Sequence, residues 1–361
     1  MHFNVIYYLA KMMQHLRKWK WTILAGICFL LLCFLPASFI EEYYSRGLFL
    51  GIRKLLDNSF GKLPFPSYYL FLIVLFLIVL KWFLHFFKEK PQPVLQRLIK
   101  IASFAGIMIT LFFIMWGFNY GRMPLENQIQ LNVKPLTNEQ LLAETQTTIL
   151  ILNKIRTSIK NDTNPIPEIV FINNIEQNSR DALDSTLHTF KYPFSTKIRG
   201  RFLFEDMFLI VGIGGQYLPF TGEGNVDDAV YYSKKPFYLI HEMAHGNGFT
   251  NEAECNFISY VSCVESGNLS LEYSGELNYL FYLFDALKVK DSANWEAVRA
   301  QIPTALKNDL EAIRKYYLEH TFKSAYFGDK INNYYLKIMG IKDGVKNYDK
   351  MLDLVYAWKQ K

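Results

Sequence analysis

Residues 241–245 read His-Glu-Met-Ala-His, and this pentapeptide decides how the fold is interpreted. On a helix, positions i and i+4 share a face, so His241 and His245 offer two imidazoles to one metal ion. Glu242 stands beside them, where a carboxylate acts as the general base that activates a water molecule. One alternative is that the two histidines bind no metal and only pack and form hydrogen bonds within the protein. The other is a structural zinc site, which usually has four protein ligands. We predict a catalytic zinc ion.

A catalytic zinc site also needs a third protein ligand and one open position. Glycines after His245 favour a turn, and Thr250 or Asn251 is suited to cap a second helix that continues with EAECN (252–256). This helix resembles that of the thermolysin-like metallopeptidases, or gluzincins, and of the membrane-embedded prenyl-protein endopeptidases, which carry the pattern Glu-x-x-small-Asp. The resemblance implies that Glu252 is the third ligand and that Asn256 replaces the aspartate that supports a zinc-bound imidazole.

Two features depart from those families. Asn256 is neutral where they carry an acid, and only six residues separate His245 from Glu252, which is a tighter connection. Glu254 is therefore an alternative third ligand. Its other role would be the carboxylate of a capping box with Asn251.

Hydrolysis of an amide further requires a hydrogen-bond donor for the developing oxyanion, commonly Tyr, His or Arg. Tyr273, in LEYSGELN (271–278), is the first candidate, with Tyr217 and Tyr335 behind it. The chain holds 23 tyrosines, so packing roles compete with each assignment. Residues 214–220 are expected to run as an extended edge that pairs with a peptide substrate, although an ordinary hairpin fits the same pattern.

The N-terminal third has the composition of a membrane domain. Residues 1–120 hold 13 basic and 4 acidic side chains, which leaves 26 basic and 29 acidic for 121–361. A bilayer crossing takes about 20 apolar residues, and three runs qualify: 21–40, 65–87 and 101–121. The lysines and arginines are interpreted as charges that flank these runs, which argues against nucleic acid as a partner and for the lipid bilayer.

Basic residues precede the first run and separate the second from the third, so both of those segments are predicted to be cytoplasmic. The loop between the first two runs is also basic, although Glu41, Glu42 and Asp57 accompany its positive charges. With a cytoplasmic N-terminus, three crossings place everything after Tyr120 outside the cytoplasm.

Residues 122–361 are predicted to form one mainly helical α+β domain with a small β-sheet, long enough to bury its own core. Thr137 is predicted to cap a helix, and 175–189 to form another. The runs 169–172 and 202–213 are rich in β-branched and aromatic residues and are predicted as strands. The four cysteines are too few and too poorly placed for a disulfide framework.

Several separated blocks resemble, in one order, a bacterial membrane family catalogued as domain of unknown function 3810. The blocks are YYSRG, PFP, NYGRMPL, YLPFTGEGNV, HEMAHGNGFTNEAECNF, YSGELN and YYLKIMGIKDGVKNY. The resemblance implies a multi-spanning, zinc-peptidase-like protein of a bacterial membrane. With the orientation predicted from the charges, this would be the inner membrane, with the C-terminal domain extracytoplasmic. It specifies no substrate.

Together these features predict a zincin-like metallopeptidase domain anchored by three transmembrane helices in residues 1–121. One zinc ion and Glu242 as general base would hydrolyse peptide bonds in peptides or proteins near the membrane. Two other functions fit the same sequence: a zinc amidase acting on cell-wall peptides, and a non-catalytic envelope protein that keeps the zincin fold for binding or sensing. The sequence indicates no oligomeric state.

Overall fold

The computed structural model describes residues 2–88, 93–195, 197–320 and 350–361. The described chain is mostly helical and divides into two compact units. The first unit comprises 1–52, 67–123 and 219–221, and the second comprises 53–66, 124–218 and 222–361. Residues 53–66, which lie in the N-terminal third of the sequence, thus belong to the second unit.

The N-terminal third contains only helical elements among the described residues. They are α1 (His2–Phe34), α2 (Ala37–Phe39), a π-helix (Ile40–Leu48), α3 (Phe49–Asn58), α4 (Ser67–Lys88), α5 (Val94–Met115) and 3₁₀ turns at Phe60–Lys62 and Gly117–Gly121. Ser67–His85 and Val94–Met115 are long and apolar enough to cross a membrane. A third such element exists if the bent pair Lys18–Phe34 and Ala37–Lys62 counts as one span.

The first predicted span, 21–40, is not one continuous helix. α1 ends at Phe34, and the next helical segment is bent from it by 111°. Pro36 causes the break, since proline has no N–H for the helix and pushes the residue before it out of the helical region. Its own backbone is extended, with φ −61° and ψ 142°.

The other two predicted spans differ in accuracy. The span 65–87 agrees with α4. The span 101–121 is displaced, because α5 begins seven residues earlier, at Val94, and ends at Met115. Trp116 leaves the helical region there, with φ −160°, and the chain continues as a 3₁₀ turn. Lys100, predicted to lie in a loop, is part of α5.

In its described residues, the second unit is built from helices and one three-stranded sheet. Its helices are α6 (Leu125–Gln128), α7 (Asn138–Ile159), α8 (Ile169–Ile172), α9 (Ile175–Thr189), α10 (Lys235–Gly246), α11 (Glu252–Val264), α12 (Leu269–Lys290), α13 (Ser292–Ala300), α14 (Thr304–His320) and α15 (Lys350–Lys359). Its strands are β1 (Gly200–Leu203), β2 (Gly215–Leu218) and β3 (Glu223–Asp227). The sequence prediction of a mainly helical unit with a small sheet agrees with this arrangement.

Local signals predicted some helices correctly. Thr137 caps α7: its hydroxyl accepts a hydrogen bond from the Gln140 N–H, and the Gln140 side chain accepts one from the Thr137 N–H. This reciprocal pair satisfies two donors that a helix start otherwise leaves open. The helix predicted at 175–189 matches α9 in both bounds.

The strand predicted at 169–172 is wrong, because these residues form the single helical turn α8. The carbonyls of Pro167 and Glu168 accept hydrogen bonds from the N–H groups of Val170 and Phe171, which closes the turn. Only Phe171 of α8 is buried, so the apolar run reflects one packed ring and not a strand face.

The strand predicted at 202–213 is confirmed only at its start, which belongs to β1, and is wrong for the remaining residues. The Asp227 carboxylate accepts hydrogen bonds from the N–H groups of Asp206, Phe208 and Leu209 and so folds the following chain away from the sheet. In the sheet, β3 is central; β1 pairs with it in parallel and β2 antiparallel. β2 is therefore an edge strand, and with β3 it forms the antiparallel hairpin that was the alternative for residues 214–220.

The core lies where α10, α11 and α12 pack against one another. Fully buried side chains from all three include Leu239, Met243, Phe257 and Leu280. Burying each such side chain contributes about 1.5–3 kcal/mol. This packing fixes α10 against α11, the two helices that carry the predicted metal ligands.

Candidate metal centre

Two histidines of α10 and one glutamate of α11 converge. His241, His245 and Glu252 each offer one ligand atom, and these atoms lie within 4.8 Å of one another. The two Nε2 atoms are 3.1 Å apart, and Glu252 oxygens lie 3.1 Å from Nε2 of His241 and 3.7 Å from Nε2 of His245. Tetrahedral ligands bound at about 2.0–2.2 Å would be separated by about 3.3–3.6 Å. The spacing and the donor set therefore fit a metal ion.

Each imidazole is oriented by a hydrogen bond on its far side. Nδ1 of His241 lies 2.8 Å from Oδ1 of Asn256, and Nδ1 of His245 lies 2.7 Å from the carbonyl oxygen of Phe249. Both partners are acceptors, so a neutral ring would donate from Nδ1 and turn its Nε2 lone pair toward the cluster. Asn256 thus occupies the supporting position that the gluzincin resemblance implied.

Glu254, the alternative third ligand, lies elsewhere. Its buried carboxylate accepts a hydrogen bond of 2.7 Å from the Leu125 N–H. The Asn251 side chain caps α11 by accepting from the N–H groups of Ala253 and Glu254. The structure therefore brings Glu252 to the histidines, whereas Glu254 forms a hydrogen bond that links α6 to α11.

Glu242 is buried beneath the sheet, with only 4% of its surface exposed. A Cβ atom added at Gly215 of β2 would lie 2.6 Å from Oε1 of Glu242, and one at Gly224 of β3 would lie 2.7 Å from its Cβ. Only glycine fits at such distances, which explains the glycines of this segment. Burial raises the pKa of Glu242 to about 7, and among the described residues Oε2 has no hydrogen-bond partner.

The carboxylate of Glu252 has the opposite electrostatic environment. Burial by itself would raise its pKa, but the imidazoles of His245 and His241 outweigh burial and hold the pKa below its usual value. The two glutamates of the site are therefore distinct: Glu252 keeps its negative charge, as a ligand must, whereas Glu242 is poised to exchange a proton near neutral pH.

Tyr217 of β2 is anchored by an arginine that the sequence analysis did not single out. The Tyr217 hydroxyl accepts a hydrogen bond of 2.9 Å from Nη1 of Arg53, which also donates to the Gly222 carbonyl. Arg53 forms a buried ion pair with Asp57, one helical turn further along α3. The i,i+4 spacing of these two opposite charges was the available signal, but it did not show that the pair would be buried.

Tyr273 is not brought to the histidines. Its side chain is 1% exposed, its hydroxyl donates to Oδ2 of Asp309 at 2.8 Å, and its ring packs beside Phe171. Tyr335 lies outside the described residues. A different tyrosine of α12, Tyr282, interacts electrostatically with Glu252, and burial raises its pKa. No motif in the sequence marked it.

Comparisons with known proteins identify a family. The model of the family described as "Protein of unknown function (DUF3810)" matches residues 44–356. Because this match covers most of the chain, the protein belongs to that family. Neither the curated proteins nor the solved structures contain a match to it.

Proposed function

We propose that this chain is a membrane-anchored, zinc-dependent metallopeptidase that hydrolyses peptide bonds in peptides or proteins near the membrane. The observation that carries the proposal is the convergence of His241, His245 and Glu252 with a buried glutamate, Glu242, on the helix of the histidines. The resemblance of α10 and α11 to the gluzincin helices supports a zincin-like fold for the second unit.

His241 and His245 would hold the ion through Nε2, and Glu252 through its carboxylate. A zinc ion at this position supplies a Lewis acid that polarises a carbonyl and lowers the pKa of a water molecule. Asn256 and the Phe249 carbonyl keep both rings in the binding orientation. A ligand set of two imidazoles and one carboxylate is typical of catalytic sites, where one position stays open to substrate.

Glu242 moves the proton. A carboxylate whose pKa is about 7 accepts a proton from the attacking water and returns it to the leaving nitrogen, and such matching of pKa to working pH favours general catalysis. Ligation alone would not require this residue. Its presence therefore supports an enzyme over a binding or sensing protein.

The edge strand β2 would align the substrate. It passes over Glu242 at Gly215 and is hydrogen-bonded to β3 along one side, so its other side can pair with an extended peptide. Since the Tyr273 hydroxyl is engaged by Asp309 in the core, we propose Tyr282 as the oxyanion donor, because it lies close enough to Glu252 and Asn256 to interact with both.

The decisive experiment combines metal content with hydrolysis of a peptide library by the full-length protein in detergent. We expect about one zinc per chain, retained in Glu242→Gln with at least a ~10³-fold loss of hydrolysis, and lost in His245→Ala and Glu252→Ala. Glu254→Gln is the matched control and should keep its zinc. A zinc-loaded wild type that cleaves nothing, with a cellular phenotype unaffected by Glu242→Gln, would favour the binding or sensing protein.

Including muropeptides in the same library distinguishes the amidase. Cleavage restricted to cell-wall peptides would redirect the assignment to a zinc amidase at the same residues.

We also propose that the second unit lies outside the cytoplasm of a bacterial inner membrane. The charge distribution around the apolar runs supports this orientation. A reporter that is active only outside the cytoplasm should work when fused after Lys361. Activity of a cytoplasmic reporter at the same position would contradict the orientation.

A further inference from the structure

The segment of residues 37–58 has one exposed apolar face. Its large apolar side chains with the greatest exposure are Phe39 (45%), Tyr43 (59%), Leu48 (58%) and Leu55 (69%). From one to the next, their positions in the sequence differ by four, five and seven. The π-helix makes wider turns than an α-helix, so these spacings keep all four side chains on one side of the continuous helical segment formed by α2, the π-helix and α3.

The other side of the same segment is packed. Ile40, Tyr44, Phe49 and Leu56 are each less than 9% exposed, and the Tyr44 hydroxyl donates a hydrogen bond of 2.9 Å to the carbonyl of Ile114. The segment therefore has one face that meets the protein interior and one apolar face that meets its surroundings. Exposed apolar side chains are ordinary singly, but an aligned row of them marks an interaction surface.

The direction of the segment indicates what it meets. Its axis makes an angle of 111° with that of Lys18–Phe34, which is 21° beyond a right angle. Membrane helices are tilted by about 20° on average. A helix of that tilt would place residues 37–58 nearly parallel to the bilayer surface.

The length of α1 supports the same placement. Its uncharged part, residues 21–34, has 14 residues and is about 21 Å long, shorter than the hydrocarbon core of about 30 Å. An in-plane amphipathic helix sinks about 5–10 Å into the boundary between headgroups and acyl chains. Sinking by this amount accounts for most of the missing length.

We propose that residues 37–58 form an in-plane membrane helix, with Phe39, Tyr43, Leu48 and Leu55 embedded in the interface of the bilayer that α1 enters. The chain runs from an apolar membrane helix directly into this row of side chains, so the bilayer lies within reach without any further partner. This inference concerns residues 37–58, whose last six residues belong to the second unit, and it holds whether or not the metal centre is catalytic.

The experiment measures the depth of spin labels in the full-length protein reconstituted in phospholipid nanodiscs. Cys33, the one exposed cysteine among the four, is first replaced by alanine, and single cysteines are then labelled at Tyr43, Leu48 and Leu55. Two exposed reference sites are Phe76 in α4 (63%) and Leu150 in α7 (69%). Relaxation by oxygen and by a water-soluble nickel complex reports the depth of each label.

We expect the three labels to lie at one depth, within about 5 Å of each other, shallower than Phe76 and protected from nickel. Residues 43 and 55 are twelve positions apart, about 18 Å along a helix. A depth that changes steadily by that distance would mean that the segment crosses the bilayer. If the nickel complex relaxes the three labels as strongly as the label at Leu150, the row of side chains faces water or a soluble partner. Either result overturns the proposal.

Discussion

The side-chain oxygen of Asn256 lies 2.8 Å from Nδ1 of His241, so a neutral amide holds the imidazole at the position where the gluzincin pattern has a carboxylate. An amide oxygen fixes the ring and its tautomer, but it adds no negative charge to increase the basicity of Nε2. A carboxylate both fixes the imidazole and increases the basicity of its Nε2, whereas Asn256 only fixes it. Position 256 therefore allows the two effects to be tested separately.

Replacing Asn256 tests both effects. We expect Asn256→Ala to weaken zinc binding about 10–100-fold, as is typical when a supporting hydrogen bond is removed, and Asn256→Asp to bind at least as tightly as the wild type. Competition with a chelator gives the affinities. Asn278→Ala removes another buried amide, on α12, and should leave zinc affinity unchanged. Equal affinity in Asn256→Ala and the wild type would show that the hydrogen bond does not support the site.

Gly215 tests the fit between Glu242 and the edge strand. An alanine Cβ there would lie 2.6 Å from Oε1 of Glu242 and 2.9 Å from the backbone oxygen of Asn225, so the strand or the carboxylate has to shift. We expect Gly215→Ala to lower hydrolysis at least tenfold and to cost about 1–3 kcal/mol of stability. Gly61→Ala is the control, because its Cβ would meet only ordinary contacts, at 3.7 Å or more. Unchanged hydrolysis in Gly215→Ala would contradict the placement.

The buried pair of Arg53 and Asp57 predicts an unusual order of stabilities. Removing one partner leaves the other charge buried, which costs about 3–5 kcal/mol. Replacing both charges by apolar groups of similar volume is often neutral. We therefore expect Arg53→Met to lower the melting temperature in detergent more than the double variant Arg53→Met with Asp57→Leu. A double variant less stable than the single one would show that the pair contributes net stability.

Substitutions of Tyr282 and Tyr273 are expected to have opposite effects: the first on kcat and the second on stability. If Tyr282 stabilises the oxyanion, Tyr282→Phe lowers kcat about 10²–10³-fold, the range for loss of one such donor, without loss of zinc. Tyr273→Phe should leave kcat nearly unchanged and cost about 1–3 kcal/mol of stability, because the buried Asp309 loses a hydrogen bond. Steady-state kinetics and thermal unfolding distinguish them. The reverse pattern would restore Tyr273 as the donor.

Asp184 of α9 gives a pH dependence of stability. Burial raises the pKa of its carboxyl to about 7 from an ordinary 3.8, and Oδ1 has no hydrogen-bond partner among the described residues. The folded state therefore binds this proton more tightly than the unfolded state does, and stability falls as pH rises from about 4 to about 7. We expect Asp184→Asn to raise the melting temperature above pH 7 and to leave it unchanged near pH 3. A gain in melting temperature that is the same at all pH values in Asp184→Asn would show that the raised pKa is not the cause.

Local signals in the sequence determined much of the second unit. The cap at Thr137 and the spacing of His241 and His245 depend only on near neighbours along a helix, so sequence alone predicted them. The strand expected at 169–172 failed for the complementary reason. A β-branched run becomes a strand only where another strand is available to pair with it, and these residues instead form a local turn after Pro167.

By itself, the sequence determined the local groups of this protein: two imidazoles on one helical face, a glutamate between them, and apolar runs beside a helical domain. The tertiary structure decided which partners those groups have. It selected Glu252 over Glu254 because the packing of α11 turns one carboxylate to the histidines and the other to Leu125. It placed Tyr273 in the core and buried Arg53 against Tyr217, because contacts between residues distant in the chain depend on the packing of whole elements, which no short pattern encodes.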